Sequence, residues 1–281
     1  MSWLAQLQLD YALEQGRSVA RHRHDGPLRV LKSLYPEGDA ICHNVLVHPP
    51  GGLVGGDRME INVQVGAGAH GLITTPGASR FYRSEGPLAS QQVRLRLDEG
   101  ARLEWLPLEA IAYPGCRARN ALQMQLAPRA ELLGWDITAL GLPQAGAPFE
   151  STPGEFAQQL ALEGAWLEQG RLRADDALLL DGALGLAGRR CMASLFFASG
   201  TPIARERSEH ALELARTLIA AHEAEAPGLL AGVTEAHPRI LVLRVLAPLT
   251  EPAQALLRAV WQVWRQALWG LDGVPPRLWA M

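Results

Sequence analysis

The stretch from Val45 to Arg83 constrains the fold of this chain more than any other segment. Between Met59 and Val65, four apolar residues alternate strictly with three polar ones. Successive side chains of a β-strand point to opposite faces of the sheet, so this alternation predicts a strand with one buried face. A glycine-rich turn that ends in Asp57 precedes the strand, and a Thr-Thr-Pro-Gly corner follows it. The segment therefore predicts β-structure connected by tight turns.

The glycine-rich turn, residues 49–57, does not fit a phosphate-binding loop. In dinucleotide-binding and Walker loops, the glycines lie between a strand and a helix whose N-terminus faces the phosphate. Here the glycines lead into a second strand, and no Gly-Lys-Ser/Thr follows. The turn fits a strand-to-strand connection in which glycine supplies positive φ angles. Asp57 then either caps the turn or presents its carboxylate to a ligand, and composition does not separate these two roles.

An internal repeat favours a stacked β-architecture. Similar segments end at Ala69, Ala101 and Ala130, which lie 32 and 29 positions apart. Each segment has two alternating apolar residues, a short polar turn, and an alanine that opens the next strand. Repetition near thirty residues is typical of stacked β-units. We therefore predict a mainly β fold of stacked strand layers with β-helix-like (solenoid) character; the alternative is that antiparallel sheets simply reuse similar turns.

Further strands are predicted over 28–35, 156–167 and 240–246, and the period changes to a helical one at Ala204. Ser208 is a plausible N-cap of the first helix, and a final helix begins near Glu251. We expect a single domain over residues 1–281, with a β-rich body to about residue 200 and a helix–strand–helix part from about residue 201.

The final helix carries a wide apolar face, which two interpretations explain. Leu257, Trp261 and Trp264 lie on this face, and Trp279 follows near the C-terminus. These side chains either belong to the core or form a partner-binding surface, because large exposed apolar patches and tryptophans are typical of interfaces.

Composition excludes several classes of function. The net charge is −3, whereas proteins whose main partner is nucleic acid usually carry a basic patch. No signal peptide or membrane-spanning run is visible, so we expect no membrane association. The three cysteines are far apart and odd in number, which argues against a disulfide framework and favours a cytoplasmic location.

Residues that could carry chemistry are few. No serine or cysteine nucleophile motif and no closely spaced zinc motif is present. Cys42, His43 and His48 are weak candidates for metal binding, and we expect no tightly bound metal or permanent cofactor. His22 and His24 form a His-x-His pair that could seed a metal site or lie in an exposed charged segment.

Carboxylates beside apolar residues are the more informative feature. Asp57, Glu104, Glu109 and Asp136 each lie in or next to a predicted strand. A buried acid is unfavourable unless it is paired, hydrogen-bonded, or facing water or a metal. Each one alone is most simply a structural acid, whereas four acids in one stacked β-unit could line a polar channel. Oxygen ligands hold divalent metals less tightly than thiolates, which suits passage rather than storage.

Several motifs occur together along the chain: GPLRVLKSLYPEGD (26–39), PPGGLVGGD (49–57), ITTPGASRFYRS (73–84), LEWLPLEAI (103–111), LLGWDI (132–137) and PRLW (276–279). In this set and order the chain resembles the urease accessory protein D family. The resemblance implies a non-enzymatic metallochaperone that binds accessory protein F, the GTPase accessory protein G and apo-urease. It also implies two copies in a symmetric complex built through accessory protein F, and transient nickel that passes through a tunnel to urease.

The resemblance extends to single residues. Asp57 matches the acid that ends the glycine-rich turn, Glu109 the acid that follows Leu-Glu-Trp-Leu-Pro, and Asp136 the acid of the Trp-acid pair. The other matching residues are Thr74, Thr75, Pro76, Arg80, Tyr82, Arg83, Glu104, Trp105 and Trp135. Nickel-path candidates are Asp57, Asp136, Glu104, Glu109, Thr75 and Tyr82. The chain departs from the family pattern at Gly141-Leu142 and at Asp175-Asp176, and the match is weakest over 141–190.

A second function of a different class is a β-solenoid enzyme that acts on carbohydrate. Such an enzyme needs two carboxylates that flank a substrate groove. The apolar C-terminal helix and the absence of a recognisable export signal count against it.

Overall fold

The computed structural model describes residues 2–280, and within this range the chain forms eighteen strands and three α-helices. The strands are β1 (Leu4–Glu14), β2 (Arg17–Asp25), β3 (Arg29–Val30), β4 (Ile41–Val47), β5 (Arg58–Val65), β6 (His70–Thr74), β7 (Ser79–Phe81), β8 (Ala89–Leu97), β9 (Arg102–Leu106), β10 (Ala110–Ala112), β11 (Arg117–Leu126), β12 (Glu131–Leu142), β13 (Ala147–Pro148), β14 (Glu155–Leu162), β15 (Trp166–Arg173), β16 (Cys191–Ser199), β17 (Leu230–His237) and β18 (Ile240–Ala247). The helices are α1 (Ala177–Asp181), α2 (Arg205–Glu225) and α3 (Thr250–Trp269).

Among the described residues, the strands form two sheets. The seven-stranded sheet has the order β15-β14-β11-β8-β5-β1-β2. The eleven-stranded sheet has the main order β17-β18-β16-β12-β9-β6-β4-β3, with β7, β10 and β13 joined at its side. The predicted mainly β fold is therefore confirmed.

The chain passes back and forth between the two sheets. β5, β8, β11 and β14 are parallel neighbours in the first sheet, and β6, β9 and β12 are parallel neighbours in the second. The repeated turns contact one another: Gly68 N donates to Glu99 O at 3.3 Å, and Gly100 N donates to Pro128 O at 3.4 Å. Antiparallel pairs such as β1–β2 and β12–β16 also occur, so the solenoid remains a prediction.

Three layers enclose two hydrophobic cores. The first core lies between the two sheets and includes Leu7, Ile61 and Leu95. The second core lies between the eleven-stranded sheet and helices α2 and α3, and it includes Trp261 and Trp264. The eleven-stranded sheet is therefore covered on both faces, and residues next to each other on its strands enter different cores.

Several predicted elements differ from the structure. Residues 28–35 do not form one continuous strand: they pair with β4 at Arg29–Val30, through Leu31 N to Val45 O at 3.0 Å, and at an isolated bridge through Leu34. Residues 156–167 contain a hairpin turn rather than one strand, because β14 ends at Leu162 and antiparallel β15 begins at Trp166. The first long helix has Ala204 at its N-cap, and Ser208 is buried inside the helix with its hydroxyl donating to Arg205 O. Ser208 as N-cap was therefore wrong.

The C-terminal part continues the larger sheet. Between α2 and α3 lies the β17–β18 hairpin rather than one strand, and β18 pairs with β16 of the β-rich body. Cys42, Cys116 and Cys191 are free and buried. Within residues 2–280, no helix combines the length and apolar character needed to cross a membrane.

Candidate functional site: a buried polar row

The four candidate acids do not share one channel. Glu104 and Asp136 lie on the eleven-stranded sheet but on opposite faces, because Glu104 contacts α3 and Asp136 contacts the seven-stranded sheet. Asp57 lies at the glycine-rich turn, and Glu109 accepts a hydrogen bond from Gln254 at the start of α3. The expectation that one channel collects all four acids was therefore wrong.

Asp136 is the acid that faces the space between the two sheets. Its carboxylate accepts hydrogen bonds from Asn120 Nδ2 at 2.9 Å, from Thr138 Oγ1 at 3.4 Å and from Gln158 Nε2. Asn120 in turn accepts from Gln91 Nε2 at 3.1 Å. A chain of polar side chains thus crosses the interior, with Asp136 as its charged member.

The three amides of this chain lie at one level of the seven-stranded sheet. Gln91 of β8 is the register partner of Asn120 of β11, and Asn120 is the register partner of Gln158 of β14. On each strand the neighbouring inward positions are apolar, as with Ala118 and Leu122 on either side of Asn120. We call Gln91, Asn120, Gln158, Asp136 and Thr138 the polar row. Sequence reasoning missed the three amides, although a single polar residue in each inward apolar series is a readable signal.

The polar row leads to a hollow at each side. At one side, Gln91 and Ser79 line a cavity of about 160 Å³ that Thr75 and His48 also border. At the other side, Ser194 is the β16 register partner of Asp136 and donates to Glu168 at 3.2 Å. Ser194 and Glu168 border a surface depression of about 350 Å³. Polar groups therefore extend from one hollow through the interior to the other.

Burial raises the pKa of Asp136 to about 6, against the hydrogen bonds from Gln158, Asn120 and Thr138, which lower it. The nearby Glu168 carboxylate raises it further. Near neutral pH this acid can thus exchange a proton readily. A divalent cation can replace that proton once Asn120 and Gln158 turn their amide oxygens toward it, because both now present N–H groups to the carboxylate.

We expect this pKa to appear as a pH-dependent stability. The folded protein holds the Asp136 proton more tightly than the unfolded chain, so stability falls as pH rises from about 4 through about 6. The loss is about 3 kcal/mol. Urea unfolding of wild type and Asp136→Asn at pH 4 and pH 7 measures it, since the variant lacks this titration. A difference between the two proteins that is the same at both pH values would contradict the raised pKa.

Asp57 caps the glycine-rich turn, one of its two predicted roles. The carboxylate accepts from Val54 N at 2.9 Å within the turn and from Trp3 N at 3.2 Å across to the N-terminal segment. Gly56 has a φ of +89°, and a methyl group at Gly52 would overlap the Tyr82 ring. The glycines thus permit both a left-handed turn and close packing. Through its two hydrogen bonds, Asp57 connects the turn to the segment before β1.

Glu104 belongs to a buried charge cluster at the other face of the larger sheet. Its Oε1 lies 3.2 Å from Arg265 Nε and 3.1 Å from His70 Nε2, and its Oε2 accepts from Trp261 Nε1 at 2.7 Å. Arg265 also binds both carboxylate oxygens of Glu37, at 2.6 and 2.9 Å. The cluster therefore joins helix α3 to strands of the sheet and to the loop before β4.

The surroundings of Glu104 favour its ionised form. Burial alone raises its pKa, but the hydrogen bond and charge of His70 and the charge of Arg265 outweigh burial, so the pKa is lowered. Burial likewise raises the pKa of Glu37, and His43 and Arg265 reverse this effect. Both carboxylates are already saturated by fixed cations and donors, which leaves the cluster in a structural role.

The remaining path candidates lie in different surroundings. Thr75 borders the 160 Å³ cavity, and its hydroxyl accepts from Leu108 N at 2.9 Å. Tyr82 packs against Tyr113 with ring centroids 4.9 Å apart. Glu109 borders a separate hollow of about 300 Å³ near the start of α3. Of these three, only Thr75 lies at a hollow that the polar row reaches.

The weak metal candidates are not brought together. Cys42 donates to Asn44 Oδ1, His43 binds Glu37 at 2.8 Å, and His48 packs against Trp3 at the far end of β4. Within the described range 2–280, no group of three or more His, Cys, Asp or Glu residues is arranged to hold a metal ion.

The partner candidates of α3 are mostly core residues. Leu257, Trp261 and Trp264 are completely buried in the second core. Trp279 is half-buried and covers that core, with its ring 5.3 Å from Trp261 and 5.2 Å from Trp135. The interpretation of Leu257, Trp261 and Trp264 as an exposed partner-binding surface was therefore wrong.

Comparison with known proteins identifies the family of this chain. The family described as UreD urease accessory protein matches residues 4–280. Urease accessory protein UreD of Variovorax paradoxus (strain S110) is 62% identical over 280 residues, which cover 100% of each chain. The protein of the same name from Albidiferax ferrireducens is 61% identical over 281 residues and 100% of each chain, and that from Leptothrix cholodnii is 52% identical over 281 residues and 99% of each.

These matches define the chain as an accessory protein rather than an enzyme. It belongs to the UreD urease accessory protein family. The alternative of a carbohydrate-active enzyme is set aside by this assignment.

Proposed function

We propose that this chain acts in the maturation of urease in the cytoplasm, as a scaffold for accessory proteins F and G on apo-urease. In this proposal nickel is a transient cargo, conducted through the interior of the chain, and two copies enter one symmetric complex built through accessory protein F. Membership of the UreD family supports the link to urease.

The polar row is the observation that carries the conduction step. Between two sheets whose facing side chains are otherwise mainly apolar, it provides a line of hydrogen-bonded amide and hydroxyl groups around one carboxylate. The amides now present N–H groups to that carboxylate, and rotation of an amide by about 180° presents its oxygen to a passing cation instead. Oxygen donors hold divalent cations without the tight grip of thiolates, which permits release. Asp136 supplies the negative charge at the middle of this line, and its pKa of about 6 leaves it mostly ionised at neutral pH.

The proposed path differs from the expected one in its members. Asp136 and Thr75 remain on it, and Gln91, Asn120 and Gln158 join them. Glu104 is engaged by Arg265 and His70 and is left out of the path.

Replacing Asp136 with asparagine should lower nickel-dependent activation of urease by at least about tenfold, the order lost when a group that supports a metal is removed. The assay combines apo-urease, accessory proteins F and G, nickel, and this chain or its variant. Asp10→Asn is the matched control, because Asp10 is exposed on β1 and its side chain accepts a hydrogen bond from the exposed Gln8.

Co-purification of the variant with its proposed partners distinguishes a loss of nickel conduction from a loss of complex assembly. Asp136→Asn should still assemble with accessory protein F, accessory protein G and apo-urease, since the side chain is buried away from any partner. Normal activation by an assembled Asp136→Asn complex would contradict the conduction step. If the wild-type chain neither assembles with these partners nor affects activation, the whole proposal fails.

A further inference from the structure

The edge strand β2 carries a pair of imidazoles that the polar row does not use. His22 and His24 are two positions apart on this strand, so their side chains lie on one face of the sheet. Their register partners on β1 are Leu9 and Leu7, which are buried, so the pair lies on the inward face. Both histidines are exposed, because β2 is the outermost strand of its sheet in the described structure.

The spacing of the two rings fits one shared metal ion. With a metal–nitrogen bond of about 2.1 Å, the centre of a coordinated imidazole lies about 3.2 Å from the ion. Two such rings on one ion have centres about 4.5 Å apart at a right angle and about 6.4 Å apart on opposite sides. The ring centroids of His22 and His24 are 5.8 Å apart, inside this range, and the rings are stacked with their planes 15° apart. Because the nitrogen lone pairs lie in the ring planes, the two exposed rings must rotate to bring one nitrogen each onto a shared ion.

We propose that His22 and His24 form a surface site for a divalent transition-metal ion such as Ni²⁺, with water completing the coordination. Imidazole nitrogen is a preferred ligand of nickel, copper and zinc. A site with only two protein ligands exchanges its metal readily, which suits uptake from solution. The proposal concerns binding by this chain alone and does not depend on the conduction step.

Arg29 opposes metal binding at this site. Its Nη1 lies 3.4 Å from His24 Nδ1, so this contact requires the lone pair of that nitrogen. A metal at Nε2 requires the proton on Nδ1, and the guanidinium contact must then break. The positive charge of Arg29 also repels a divalent cation. Arg21 and Arg23 also lie on β2, but they alternate with the two histidines and therefore point to the opposite face of the sheet. Arg21 is paired with Glu14 at 2.5 Å.

The experiment is isothermal titration calorimetry of the full-length chain, without a histidine tag, with nickel sulfate. His22→Asn and His24→Asn should each weaken binding by at least about tenfold, as expected for loss of a ligand. His210→Asn is the matched control, because His210 is exposed on α2 and is not stacked on a second imidazole in the described structure. Its binding should equal that of wild type.

Arg29→Gln provides the opposite test. It removes the competing donor and one positive charge, so nickel binding should strengthen by about threefold to tenfold, the order of a unit charge acting through water at short range. In wild type, substoichiometric Ni²⁺ should broaden the imidazole NMR resonances of His22 and His24 before those of His210.

Two results would overturn the site. One is unchanged nickel affinity in folded His22→Asn and His24→Asn, with folding checked by circular dichroism. The other is broadening of His210 ahead of the pair. Neither assay contains urease, so failure here leaves the test of Asp136 unaffected.

Discussion

Replacing Arg265 with alanine should lower the free energy of unfolding by about 3 to 5 kcal/mol, the cost of leaving a buried charge without its partner. Arg265 is completely buried and is shared by Glu104 and Glu37, so its loss leaves two carboxylates without their guanidinium. It also removes a link between α3 and the sheet. Urea unfolding at neutral pH measures this effect.

Two variants make the result interpretable. Arg205→Ala removes an exposed arginine paired with Glu209 on α2, and it should change stability by less than about 1 kcal/mol. The double variant Arg265→Ala with Glu104→Gln should recover part of the loss, because one unpaired charge is gone. A loss no larger in Arg265→Ala than in Arg205→Ala would contradict a structural role for the cluster.

The same cluster sets a pH dependence. The lowered pKa values of Glu104 and Glu37 contribute stability that is present above the ordinary carboxyl range and is lost as pH falls through it. Because Arg265→Ala removes a cause of both shifts, its unfolding free energy should decline less between pH 5 and pH 3 than that of wild type.

How much the sequence predicts depends on how many faces of a strand are buried. The alternation in β5 predicted its bounds to within one residue, because one face of this strand is polar. The N-terminal strand β1 is absent from the predicted elements, although Ala5, Leu7, Leu9 and Tyr11 show the same period and are buried. In both strands the alternation of apolar and polar residues arises because one face of the sheet is packed on the core and the other faces solvent.

The eleven-stranded sheet is harder to interpret from sequence. Both faces of β9 and β12 are buried, so their residues form nearly continuous apolar runs without a period. Glu104 and Asp136 therefore look alike in the sequence, although one faces α3 and the other faces the second sheet. Only the three-layer arrangement assigns the first to a charge cluster and the second to the polar row.

Local sequence patterns also do not predict contacts between residues that are far apart in the chain. Glu37 lies 228 positions from Arg265, and the sequence around it shows an ordinary Pro-Glu-Gly-Asp turn. Arg265 itself interrupts the apolar face of α3 four positions after Trp261. A charged residue on a buried helix face requires a partner, so the need for an acid was readable, but its position was not.

Replacing Trp264 with alanine should destabilise the protein by about 3 to 5 kcal/mol, the usual cost of removing a large aromatic side chain from a core. Trp264 is completely buried, and its indole nitrogen donates to Ala211 O of α2 at 2.8 Å. Truncation leaves a cavity between the two long helices and removes that hydrogen bond. Denaturant unfolding detects the loss directly.

The result also tests the assignment of the apolar helix face to the core. A partner-binding tryptophan would leave stability nearly unchanged and weaken assembly with urease and its accessory proteins. A core tryptophan lowers stability first, and any loss of assembly follows from unfolding. Leu184→Ala, which truncates a fully exposed apolar side chain, should alter stability by no more than about 0.5 kcal/mol. Equal stability of Trp264→Ala and Leu184→Ala would place Trp264 outside the core and contradict the packing between α2 and α3.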